Sequence, residues 1–268
     1  MSTHAGSPKT VINSHIQMPK LLLKRFHNEK QCFFYYDVQA DYIGKNGKAK
    51  SLNTEHGYYS IETEHFLRDE IETPFGKILT YIDDIPFDKN TFSMPPDFEN
   101  TTRRFLHSLM SRDPLMHDEI NHQCVFTQLL PAQARRDYSA VVGFSLAQQE
   151  SLFSEYLLTF MMNNTCVPFV LPISGVYSMG WDGHALLNLP IAPHLSLCFF
   201  HASYASQLIQ ADGTTSMFVV DNPEIIMKMN SIAFASQKKH NWGYVICPYK
   251  DELERLTSRE QKFESKAL

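Results

Sequence analysis

The sequence predicts an α+β fold. Apolar residues at helical spacing dominate residues 60–162, whereas after Asn163 short apolar runs alternate with turn signals. An aromatic strand pair precedes both regions. Helices and strands segregated along the chain argue for α+β over a regular βαβ alternation.

Taken in order, residues 1–14 are polar and read as a disordered leader, and 15–268 read as a single composite domain. Residues 15–27 hold Pro19 ahead of an apolar stretch, which predicts a short helix with the proline in its first turn. QCFFYYDV at 31–38 predicts a strand, and the Gly/Lys-rich stretch behind it a turn or hairpin. Residues 60–82 predict a helix capped by Ser60 and kinked or broken at Pro74. The polar segment 83–100, with three prolines, is the candidate linker and internal boundary. Helices are expected at 101–113, from Pro114 towards 129, and at 145–162 with Ser145 as cap. Strands and hairpins follow in TCVPFVLPI, GVYSMGWDG, HLSLCFFH and ADGTTSMFVV. A helix over 221–238 starts at Asp221 or Asn222 with Pro223 behind it, then the WGYVICP strand, then a charged terminal helix.

Composition narrows the function classes. The 268 residues are 43% apolar and 20% charged, so the chain can bury a sizeable core and wholesale disorder is excluded. A net charge of −5 excludes a general polycation, so contact with nucleic acid would need a local basic patch. The five cysteines fall at no zinc or redox spacing and read as free thiols of a reducing compartment. The N-terminus lacks the basic-then-apolar pattern of a signal peptide, and no apolar run reaches membrane-spanning length. The expectation is a soluble, cytoplasmic protein.

The sequence contains no glycine-rich phosphate loop, no nucleophile elbow, no HExxH and no deaminase motif. Three histidines, His184, His194 and His201, cluster in the strand-rich half with Asp182 nearby. They are candidate metal ligands if they converge, and ordinary surface histidines if not. The segment SRDPLMHDEINH supplies Arg112, His117 and His122 as catalytic candidates. Arginine stabilises a pentacoordinate phosphate and histidine moves protons near neutral pH. The Arg-then-His spacing resembles the metal-independent ribonuclease motif of the HEPN family; the same residues also read as an ordinary helix face capped by Asp113. Trp181 and Trp242 could stack on a base, and Lys238 and Lys239 could hold a phosphate, if these groups stand exposed. Arg103-Arg104 and Arg135-Arg136 are further basic pairs.

Over roughly 15–250 the chain resembles a bacterial family, domain-of-unknown-function family 4238. The resemblance rests on HIQMPKLLLKRF, CFFYYD, HGYYSIETEHFLRDEIE, LMSRDP, NLPIAPHLSLCF, Asn230 and the WGYVIC strand. Two departures stand out. The family's histidine three places before the proline is Ile16 here, with His15 next to it. Its Ser-Asp-Asn-Pro element falls on FVLPISGV, which carries neither Asp nor Asn; FVVDNPEII follows later, on the wrong element. The resemblance implies a component of bacterial conflict and phage-defence islands. The lost polar motif implies a binding or sensing role without catalysis, and a protein partner or a second copy of the chain. The alternative is a phosphodiester nuclease using Arg112 and His117 or a histidine-held metal. No motif names a cofactor.

Overall fold

The computed structural model describes residues 13–46, 52, 54–85, 91–95, 97–123, 125–149, 154–181, 184–209 and 214–264. It is α+β. In chain order come β1 (Asn13–His15), α1 (Lys20–Arg25), the hairpin of β2 (Phe33–Asp37) and β3 (Tyr42–Asn46), and β4 (Thr54–His56). Next come α2 (Ile61–Phe66), a π-helical stretch (Leu67–Glu72) and α3 (Thr73–Asp83). Then β5 (Thr91–Phe92), α4 (Phe98–Ser111), α5 (Pro114–Gln123) and α6 (Ala132–Gln149) complete the helical part. The strand-rich part holds β6 (Tyr156–Asn163), β7 (Leu171–Pro172), β8 (Tyr177–Trp181), β9 (His184–Ala192) and β10 (Leu195–His201). It closes with α7 (Ala205–Leu208), β11 (Thr215–Ser216), β12 (Phe218–Val220), α8 (Pro223–Lys239), β13 (Tyr244–Cys247) and α9 (Lys250–Glu264).

Local chemistry sets several boundaries where the sequence places them. Pro19, expected inside the first turn, is instead the extended residue just before α1, and its carbonyl accepts from Leu22 and Leu23. Ser60 Oγ accepts from the Thr63 amide at 3.2 Å, opening α2. Asn222 caps α8, accepting from Glu224 at 2.9 Å, with Pro223 in the first turn. Pro74 cannot donate within a helix, and it falls in the first turn of α3 directly after the π-helical stretch.

A five-stranded sheet, β12-β6-β10-β9-β8, is the centre of the molecule. Only the β12–β6 pairing is parallel in it. Residues 195–200 of β10 are all buried, because both faces of the sheet are covered. Leu195, Leu197 and Phe199 join the larger core with Leu22, Phe75, Phe105 and Leu109 of the helical part. Cys198 and Phe200 join a second core with Met229 and Phe234 of α8. A four-stranded sheet, β3-β2-β13-β7, contributes Tyr36 and Val245 to that second core and Phe33 and Ile246 to the first.

Three expectations are corrected. The helix expected at 145–162 is instead the end of α6 followed by strand β6. Ser145 does not cap a helix there; its Oγ bonds the Val141 carbonyl one turn back, inside α6. The run YLLTFMMN forms a strand because it lies between β10 and β12, with Leu158 and Phe160 in one core and Met161 in the other. The segment 83–100 carries β5 and the start of α4; Phe92 and Phe98 are buried, their rings 4.5 and 5.7 Å from that of Phe160. Residues 13–15, expected to close the leader and open the first helix, form β1 against β4; residues 1–12 lie outside the described residues. Among the described residues no helix is long and apolar enough to cross a membrane.

Candidate functional site

The end of α4 gathers buried polar groups. Arg112, its C-cap, is only 1% exposed. Its Nη1 donates to Glu72 Oε1 at 2.9 Å and its Nε to the Ser108 carbonyl at 3.3 Å. Nη2 has no partner among the described residues. Glu72, the last residue of the π-helical stretch, is the ion-pair partner of Arg112.

Two neighbours come from β1 and the turn after it. The Gln17 amide donates to Asp113 at 3.3 Å, and Gln17 Oε1 is buried without a partner among the described residues. Burial, with help from Arg112 and Lys20, lowers His15 to about 4. Its Nδ1 is likewise buried and unpaired among the described residues. His107, one turn back on α4, is also lowered to about 4, by burial and by Arg103.

His117 sits in the first turn of α5 and is 4% exposed. Burial lowers its pKa, while the Ser111 backbone, Asp113 and Asp118 oppose the shift. Nε2 has no partner among the described residues, which leaves Nδ1 as the nitrogen on the Ser111 backbone. The Tyr59 ring stands edge-on, 6.5 Å away.

Above His117 a surface cleft of about 270 Å³ opens between α5 and the start of α6, lined by Tyr58, Asp118, Arg135 and Arg136 among others. Arg136 is committed: its guanidinium lies 4.2 Å over the Tyr58 ring and 3.2 Å from Glu55. Three further bonds clamp α6 to the segment before α2: Gln133 donates to the Gly57 and Tyr59 carbonyls, and Asp137 accepts from the Ser60 amide. Among the described residues the Arg135 side chain has no hydrogen bond or ion pair. A second cavity, about 440 Å³, lies between α1 and α3 and is lined by Glu72 among others. Its charged residues include Lys20 and Lys24, and Arg25 already held by Asp83 at 2.6 Å.

Of the three catalytic candidates, Arg112 and His117 therefore share one buried neighbourhood and His122 does not. His122 is exposed, and its Nδ1 lies 2.8 Å from the Asp118 carbonyl of its own helix. Five positions separate it from His117, which turns it about 140° around the helix axis. Arg112, offered as a phosphate binder, is sealed from solvent.

The metal expectation is corrected for two of its three histidines. His194 lies in the β9–β10 turn and His201 ends β10, about 23 Å apart at strand rise. His201 instead caps the following turn, accepting from the Ser203 amide at 3.3 Å. No group of three or more metal-ligating side chains occurs among the described residues. Asp182 and the side chains of Trp181 and His184 lie outside those residues.

Trp242 is no free stacking platform, because it is half-buried against the larger core. Lys238 and Lys239 occupy the last turn of α8, where cations favour the helix dipole. Of the other basic pairs, Arg103 is held by Glu99 and the Tyr156 carbonyl, and Arg104 lies 5.7 Å over the Phe144 ring.

Sequence reasoning passed over Gln17, Glu72 and Asp118 as site residues, and noted His15 only within the family resemblance. No local motif marks any of them; they meet through contacts as distant as the 96 positions between Gln17 and Asp113. No family model, curated protein or solved structure matches the chain.

Proposed function

We propose that this protein is a ligand-sensing module without catalysis of its own, working in the cytoplasm within a bacterial conflict or phage-defence system. One observation carries the reading. The arginine best placed in sequence for phosphodiester chemistry is buried on Glu72, while a polar cleft stands open beside it over His117. A substrate phosphate entering that cleft finds Arg112 enclosed, yet a ligand there sits directly against His117, one member of the buried polar group. Ordering those groups would pass occupancy into α4 and α5.

Two further points support the setting. Cys32, Cys198 and Cys247 are buried free thiols, and burial pushes Cys198 up to about 12, so it is unreactive. Such thiols suit a reducing compartment. The defence context comes from the family resemblance alone.

The test is a paired assay on the full chain. Thermal melting is followed with a bacterial small-molecule extract, and cleavage is followed on single-stranded RNA and DNA. The expected result is a raised melting temperature with the extract, lost in Arg135→Ala, and no cleavage. Strand cleavage that disappears in His117→Ala would overturn the reading.

A further inference from the structure

We propose that the cleft between α5 and α6 binds a small phosphorylated polyol, such as a sugar phosphate or nucleoside monophosphate, through Arg135, the first turn of α6 and His117. The proposal rests on the sensing reading above and names the ligand class.

Three features converge on the cleft. The first is Arg135, whose guanidinium is uncommitted among the described residues and lines the cavity. Guanidinium is the side chain best matched to phosphate. The second is the N-terminus of α6, an 18-residue helix whose first residue, Ala132, also lines the cleft. First-turn amides have no intrahelical acceptor and carry the positive end of the dipole, so they suit an anion. The third is His117, which lines the cleft, is 4% exposed and keeps Nε2 unpaired among the described residues. A buried polar atom left unmatched costs about 1–3 kcal/mol, and a ligand in the cleft towards which the ring turned Nε2 would remove that cost.

The same geometry limits the ligand. With Nδ1 occupied, the neutral ring offers a lone pair at Nε2, so it accepts from a hydroxyl or from a singly protonated phosphate. Asp118 on the wall is a second acceptor and would repel a bare dianion. Both favour a phosphate whose attached body carries hydroxyl groups. The volume of about 270 Å³ sits just under the ~300–1,000 Å³ of ordinary ligand sites, which suits a small ester. Charge disfavours a polymer. Glu55 already answers Arg136, leaving one spare cation in the cleft of a chain with net charge −5. Binding along a nucleic-acid backbone needs several such cations.

The experiment is calorimetric titration of the full chain with ribose 5-phosphate and adenosine 5′-monophosphate, against ribose and adenosine. Saturable binding of at least one phosphate ester is expected, with none for its dephosphorylated partner. Arg135→Ala should weaken it at least tenfold, the scale of a charge-assisted hydrogen bond, while Lys77→Ala, on an exposed position of α3, leaves it unchanged. Melting curves confirm that both variants fold. Binding that survives Arg135→Ala, or tight binding of an RNA oligomer with none of either ester, overturns the assignment. So does no binding of either ester; the sensing reading itself falls only if strands are cleaved or the extract stabilises nothing.

Discussion

Two buried polar networks in this molecule follow opposite rules. In the strand-rich part, the amides that tie loops to β6 and α8 are saturated, whereas Asn188 Nδ2 and the Tyr177 hydroxyl between β8 and β9 lack a partner among the described residues. Asn230 donates to the Pro168 carbonyl at 2.8 Å and to Glu252 at 2.7 Å, and accepts from the Val170 amide at 3.1 Å. Asn163 and Gln237 likewise tie loops to the β6 end and to α8. Around the end of α4, by contrast, Gln17, Ser108, Arg112 and His117 each keep a buried atom without a partner among the described residues. Saturated networks fix a fold, whereas unsatisfied ones mark strain or a place where something else is bound.

Removing a saturated staple should cost most. Asn230→Ala strips partners from Glu252, the Val170 amide and the Pro168 carbonyl, and should cost about 3 kcal/mol, read by denaturant melts. A smaller loss is expected where the two regions touch. Gly175 has φ +80°, and a Cβ there would lie 2.7 Å from Leu109 and 3.0 Å from Met18. Gly175→Ala should cost about 2 kcal/mol, and a neutral result would place the seam elsewhere.

Acid should act on the helical region. His15 and His107 are held near 4 in the fold against about 6.5 unfolded. The unfolded chain then binds more protons between those values, so stability is level above pH 6.5 and falls from there towards 4. A melting temperature lower by at least about 3 °C at pH 4.5 than at pH 7 is expected, with a shallower slope in His15→Asn. Smallest of all should be Arg112→Met. Its partner Glu72 is a quarter exposed and can return to water, so a cost of no more than about 1 kcal/mol is expected. A loss as large as that of Asn230→Ala would erase the distinction between the two networks.

Sequence made legible those elements whose signals are local. Pro19, Ser60 and the Asn222–Pro223 pair announce their helices through chemistry confined to a few residues. The aromatic alternation of β2 and the short apolar run of β13 do the same for strands. YLLTFMMN could not announce itself, because a strand covered on both faces loses its alternation and matches a helix equally well. The site was half legible. Arg112 and His117 stand out by residue type, but their burial depends on β1, the π-helical stretch and α6, all assembled from far along the chain. Arg135 carries no local signal in sequence; what sets it apart is that its neighbour Arg136 is bound to Tyr58 and Glu55.

Whether the cleft over His117 holds a ligand is read from the ring nitrogens of His117. Two-dimensional nitrogen–proton spectra of the histidine side chains report which nitrogen carries the proton. In the free protein His117 should be neutral, with the proton on Nδ1 and Nε2 bare. Addition of adenosine 5′-monophosphate or ribose 5-phosphate should shift Nε2 in a saturable way, and the shift should be absent in Arg135→Ala. A His117 already protonated in the free protein at pH 7, or an Nε2 signal untouched by either ester, would mean that the cleft is not the ligand site.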